Sequence, residues 1–172
     1  MTRSWLVVGS ILAVLAIPAL AQPPGEAFAP KDGRFSVKFP GKPKDTTQTA
    51  KTALGELKVF TATYATADGN VYMVSYNDFP EGAAKPDARD TLYDGVRDGL
   101  KRDGWKFNSE KAIELGPDKL PGREIDLEKD KKRSRLRVVL RDGRLYQAAV
   151  IGTSAFAAGK DATAFLDSFE LK

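Results

Sequence analysis

The chain has 172 residues, with 27 Lys and Arg against 23 Asp and Glu, and it contains neither histidine nor cysteine. Without cysteine there is no disulfide framework, thiolate metal site, cysteine nucleophile or lipid-acylated mature N-terminus; without histidine there is no Ser-His-Asp triad, nor the imidazole on which zinc, copper and non-haem iron sites usually draw. A net charge of +4 with acids mixed among the bases is not the concentrated basic face of a nucleic-acid binder.

The N-terminus reads as an export signal. Arg3 precedes the apolar core "WLVVGSILAVLA" (5–16), Pro18 breaks it, and "ALA" at 19–21 supplies the small-x-small pattern of a cleavage site. The apolar run is shorter than the roughly 20 residues of a comfortable transmembrane helix. Residues 1–21 are therefore expected to be removed after Ala21, with an uncleaved anchor as the alternative. That predicts a secreted or periplasmic protein with no transmembrane segment in its mature chain. Residues 22–32, "QPPGEAFAPKD", read as a flexible lead-in, and residues 33–172 as a single domain with one ordinary hydrophobic core.

Within that domain, "GRFSVKFPGKP" alternates Phe35, Val37 and Phe39 with polar residues and predicts a half-buried strand. "TTQTAK" and "ELKVFTATYAT" flank "TALG" as a hairpin, and "VYMVSYNDF" resumes as a strand after the Asp-Gly turn signal in "ADGN". A helix is predicted from Ala88, capped by Asp87, with Ala88, Leu92, Val96 and Leu100 as its apolar stripe and Gly104 ending it. Trp105, at the core or its edge, opens the strand "WKFNSEKAIEL".

The stretch from 120 to 146, "LPGREIDLEKDKKRSRLRVVLRDGRLY", carries the strongest register signal. With Asp130 and Lys131 at one tip, Glu128 faces Arg133, Asp126 faces Arg135, Glu124 faces Arg137 and Ile125 meets Leu136. With Asp142 and Gly143 at the next tip, Val139 pairs with Tyr146 and Leu140 with Leu145. Leu136, Val138, Leu140, Leu145, Gln147, Ala149 and Ile151 then share an inner face. Arg135, Arg137, Arg141 and Arg144 are assigned to the outer one, so the charged row reads as a self-neutralised solvent face. A short helix begun near Asp161 buries Phe165 and Leu166, and a strand Ser168 to Leu171 closes the fold. The predicted class is α+β: a twisted antiparallel sheet with one main helix and a short C-terminal helix packed on it.

An exported leader, "GRFSVKFPGKP", a central helix, "PGREIDL", "RLRVVLRDGRLYQAAVIG" and the closing "FLDSFEL" resemble small secreted bacterial envelope proteins with the PsbP-like fold, over about residues 28–172. The resemblance implies a binding or accessory protein rather than an enzyme. It supplies no catalytic motif, cofactor or metal, and none is assigned.

"GTSAFAAGK" (152–160) fails as a nucleophile elbow, since Ala155 and Phe156 follow Ser154 where a glycine belongs. It fails as a phosphate loop on spacing and on Asp161. Glu124 and Asp126 alternate opposite arginines, which favours their ionised form, the wrong direction for a general acid. The candidate contact residues are Arg141, Arg144, Tyr146 and Arg137, an outer platform suited to a carboxylate, a phosphate or an acidic partner. Tyr64, Tyr72, Tyr76 and Tyr93 with Phe60 and Phe79 could instead line a helix–sheet pocket for a small ligand. The expectation is thus a monomeric, non-catalytic binding or accessory domain of the cell envelope, its partner an unknown envelope protein, with a carrier of a small apolar or anionic ligand as the alternative and a His- and Cys-independent enzyme as the least favoured one.

Overall fold

A computed structural model describes residues 27–52 and 55–172; the expected signal segment lies outside the described residues. The elements run β1 (Phe35–Ser36), β2 (Lys44–Thr52), β3 (Gly55–Ala65), β4 (Val71–Asp78), α1 (Arg89–Arg102), β5 (Lys106–Leu115), β6 (Leu120–Lys129), β7 (Lys132–Arg141), β8 (Arg144–Gly152), α2 (Ser154–Ala157), α3 (Lys160–Asp167) and β9 (Glu170–Leu171). Seven strands form one antiparallel sheet in the order β2-β3-β4-β8-β7-β6-β5, while β1 pairs with β9. No helix among the described residues is long and apolar enough to cross a membrane.

The meander β6-β7-β8 has the register that alternation and turn chemistry dictate. Glu124 lies opposite Arg137, Ile125 opposite Leu136 and Asp126 opposite Arg135, and Val139 lies opposite Tyr146. Both two-residue turns hold left-handed φ angles, 49° and 65° at Asp130 and Lys131 and 49° and 75° at Asp142 and Gly143. Turns of that kind match the twist of the strands they join.

Each face of the sheet is covered. On one, α1 lays Leu92, Tyr93, Val96 and Leu100 over Ile125, Leu127, Leu136, Val138, Leu140, Leu145 and Ala149, with Trp105 at the edge of this cluster. On the other, the β1–β9 pair, α2 and α3 enclose Phe35, Val37, Phe39, Tyr72, Val74, Tyr146, Val150, Phe165, Leu166 and Phe169. The protein is α+β, with layers of helix, sheet, and strand pair plus short helices.

Three features depart from the sequence expectation. The described part of the expected lead-in is packed: Phe28 pairs with Val37 through two backbone hydrogen bonds and meets the Phe39 ring edge-on at 5.7 Å. Helix α1 follows a 3-10 turn at Pro86–Ala88, so Ala88 rather than Asp87 occupies the N-cap, and no side chain caps it. The charged row faces solvent only at its Glu128–Arg133 end: Glu124 and Asp126 are buried, and Arg135 and Arg137 lie beneath α2 and α3, on a side of the sheet expected to be uncovered.

Candidate functional site

The interior charges start from strand alternation. Glu124 and Asp126 on β6, and Arg133, Arg135 and Arg137 on β7, point to one face because successive residues of a strand point to opposite faces. The twist of the ladder displaces their ion pairs along the diagonal: Arg133 meets Asp126 at 2.7 Å and Arg135 meets Glu124 at 3.2 Å. Glu124 also accepts from Arg137 at 2.8 Å, and Lys111 approaches it at 3.2 Å. Only 7% of Glu124 is exposed. Burial pushes its carboxyl pKa up, but the hydrogen bond from Arg137 and the charges of Arg135 and Lys111 outweigh this and hold it below the ordinary glutamate range.

The same arginines hold the C-terminal helices. Arg135 donates to the Ala157 carbonyl at 3.1 Å and the Thr163 hydroxyl at 2.9 Å. Arg137 donates to the Leu166 carbonyl at 2.9 Å and the Asp167 carboxylate at 2.7 Å. A guanidinium carries five N–H donors in a fixed fork, so one side chain can join a strand carboxylate to a carbonyl in a helix's last turn.

The four candidate contact residues do not converge on an outer platform. Arg137 lies under α3 as just described. Tyr146 is 1% exposed, in the aromatic core. Arg144 is 7% exposed; it grips the Asp78 carboxylate with two bonds of 2.6 Å, donates to the Asp32 and Gly33 carbonyls, and lies 4.2 Å above the Tyr76 ring. That hydrogen bond from Arg144, with its charge, holds the Asp78 carboxyl below its usual range despite some burial. Arg141 alone stays at the rim, 3.5 Å from Asp118 and 3.6 Å from Asp142. The outer-face assignment fails because the aromatic pattern on β4 and β8 demands a second covering layer, which the chain termini and short helices supply.

The aromatic set also divides. Phe60 stacks on Tyr76 at 4.9 Å, and Tyr72 packs edge-on against Phe165 at 5.1 Å and Phe156 at 5.2 Å, so these rings fill a core. Tyr93 and Phe79 belong to the opposite face. Tyr93 is placed by α1 with its hydroxyl between two strands, donating to the Pro121 carbonyl at 2.9 Å and accepting from the Leu140 N–H at 2.8 Å.

A cleft of about 420 Å³ opens beside Tyr93, between the first turn of α1 and the β5–β6 hairpin, with Arg89, Ile113, Glu114, Pro121 and Arg123 in its wall. Arg123 is itself neutralised, 2.6 Å from Asp94, 2.7 Å from Glu110 and 3.0 Å from Asp90. Arg123, Asp94 and Glu110 were not anticipated from the sequence. The available signal was an arginine on the face shared with Ile125 and Leu127, opposite Asp90 and Asp94 one helical turn apart. Among the described residues no group of three or more carboxylates could hold a metal ion.

One antiparallel sheet, a single helix on one face, and a strand pair with short helices on the other define the chain as having the PsbP-like fold. The structure is similar to the solution structure of cyanobacterial PsbP, CyanoP, from Synechocystis sp. PCC 6803, with a TM-score of 0.60 and 9% identity, over 92% of this chain and 99% of that one. A crystal structure of a Pseudomonas aeruginosa protein of unknown function aligns with a TM-score of 0.37 and 10% identity, over 80% of this chain and 89% of that one. No protein-family model and no curated protein sequence matches the chain.

Proposed function

We propose that the protein is an exported, non-catalytic accessory domain of the cell envelope that works by binding a partner. The observation that carries this reading is the structural use of its ion-paired groups. Glu124 is held by Arg135, Arg137 and Lys111, and Asp78 by Arg144. A carboxylate held ionised in this way is a poor general acid, and a guanidinium bonded to helix carbonyls is not free to clamp a substrate. The PsbP-like fold agrees with a binding role, and the leader-like N-terminus with export. Of the four candidate contact residues, Arg141 is the one still available to a partner at the surface.

A second reading, a small-ligand carrier, is favoured by the cleft beside Tyr93, whose size suits a small organic molecule. One experiment separates the two: native mass spectrometry of the protein purified gently from its host's envelope fraction, with sequencing of the mature N-terminus. The accessory reading expects a chain beginning at Gln22 and a co-purifying protein whose capture weakens in Arg141→Glu. The carrier reading expects a bound non-protein mass that Ala112→Trp displaces from the cleft. A chain recovered only from the cytoplasm, with neither companion, contradicts both.

A further inference from the structure

The sheet ends in two very different edges. At β5 the ladder is broken by a bulge between Phe107 and Ser109, and Lys106, Glu110, Lys111 and Glu114 put charge along the strand. Bulges and charges are devices that discourage edge-to-edge pairing. At β2 the ladder with β3 runs unbroken over nine residues, from Lys44 opposite Thr63 to Thr52 opposite Gly55. Nothing among the described residues covers the outer side of β2. Seven of its residues are exposed, and Ala50 and Thr52 are half-buried.

In an antiparallel ladder alternate residues direct their N–H and C=O groups away from the existing partner, so β2 presents a row of backbone groups on its outer side. Thr46, Thr47 and Thr49 favour the extended backbone and give no steric obstacle to a further strand. Asp45 and Lys51 form no ion pair with another described residue. They lie on the same face of the strand, with Thr47 and Thr49 between them.

We infer that β2 is a self-association edge, at which two copies of the chain pair antiparallel about a two-fold axis midway between their Gln48 residues. Such an axis is normal to the sheet and keeps like faces together, so only registers that preserve the alternation are allowed. The register centred on Gln48 pairs all nine residues. It sets Asp45 of one copy opposite Lys51 of the other, twice, and Thr47 opposite Thr49, twice. Recentring on Thr47 faces Lys51 with Pro43, and recentring on Thr49 faces it with Thr47. Fullest overlap and charge complementarity thus coincide in one register. Each copy uses its edge once, so assembly closes at a dimer and does not propagate. Strand pairing alone makes a small interface, so the dimer forms as concentration rises rather than being permanent. This departs from the monomer expected from sequence and stands independently of the accessory role.

The test is sedimentation velocity of the protein over a concentration series, on wild type and on Asp45→Lys and Lys51→Asp. The wild type should rise to twice the monomer mass. Each single variant places like charges opposite each other at both symmetric positions and should self-associate roughly ten-fold or more weakly. An equimolar mixture of the two should dimerise again, because each carries one sign at both positions and they complement each other. The double variant Asp45→Lys/Lys51→Asp should dimerise like wild type. Circular dichroism and thermal melting of each variant should match wild type, since both positions are exposed. A wild type that stays monomeric throughout overturns the inference. So does a single variant that dimerises like wild type, or a mixture of folded variants that stays monomeric.

Discussion

Arg144 and Asp78 meet side-on across β8 and β4, with the arginine Nε and Nη2 each 2.6 Å from one carboxylate oxygen. The remaining guanidinium nitrogen donates to the Asp32 and Gly33 carbonyls, tying the N-terminal segment onto the sheet just ahead of β1. Replacing Arg144 with Met keeps much of the packing over Tyr76 but removes these charge-assisted bonds. The expected loss is about 2–4 kcal/mol of stability, measured by denaturant unfolding. Hydrogen exchange should accelerate at residues 28–38 in particular.

Tyr93 acts on the opposite face. Its hydroxyl stands where the β6 and β7 strands diverge, between the Leu140 N–H and the Pro121 carbonyl. Tyr93→Phe keeps the ring in the core but leaves a buried N–H without its acceptor. A loss of about 1–3 kcal/mol is expected in chemical denaturation. An unchanged midpoint and slope would show that water replaces the hydroxyl there.

Arg135→Glu tests the layer under the C-terminal helices. It removes the bonds to Ala157 and Thr163 and puts a like charge beside Glu124 and Asp126. The expected loss is about 3–5 kcal/mol, the range for breaking a buried pair. A surface pair would give about 0–1 kcal/mol. Calorimetry separates the two, since the larger loss moves the Tm by roughly 6–20 °C in a domain of this size, against about 4 °C or less for a surface pair.

Acid should weaken the fold. Asp78 and Glu124 have carboxyl pKa values lowered in the folded chain from 3.8 and 4.5 respectively. Their ionised forms therefore favour the folded state. That contribution is complete above the unfolded values and disappears as pH falls through the lower folded ones. Glu124 dominates, because the half-exposed Asp78 is screened by solvent. Unfolding free energy measured from pH 6 to pH 2 should fall, and Glu124→Gln should flatten the fall.

Strand register was legible in the sequence, and the destination of the charges was not. Two-residue turns at Asp130–Lys131 and Asp142–Gly143, with strict alternation, determine every pair of the meander, because a slip of one residue would turn Ile125 and Leu136 to the wrong face. Alternation also separated Arg135 and Arg137 from the α1-facing core. It could not say that a second layer covers them, since that depends on where α2 and α3 return after β8. Phe28 was hidden for the same reason: one aromatic after two prolines reads as linker until the strand it pairs with is in place. Arg123 was missed because charge-balanced side chains leave no mark in composition.

The central claim is that the charged row of β6 and β7 holds the protein's own C-terminal helices rather than a ligand. Hydrogen-exchange mass spectrometry of wild type against Glu124→Gln tests it most directly. Loss of the carboxylate charge should loosen Arg135 and Arg137 together, so amides of residues 154–167 should lose protection while those of 89–102 in α1 keep theirs. If residues 154–167 stay as protected as in wild type, the row does not anchor the helices and the claim is contradicted.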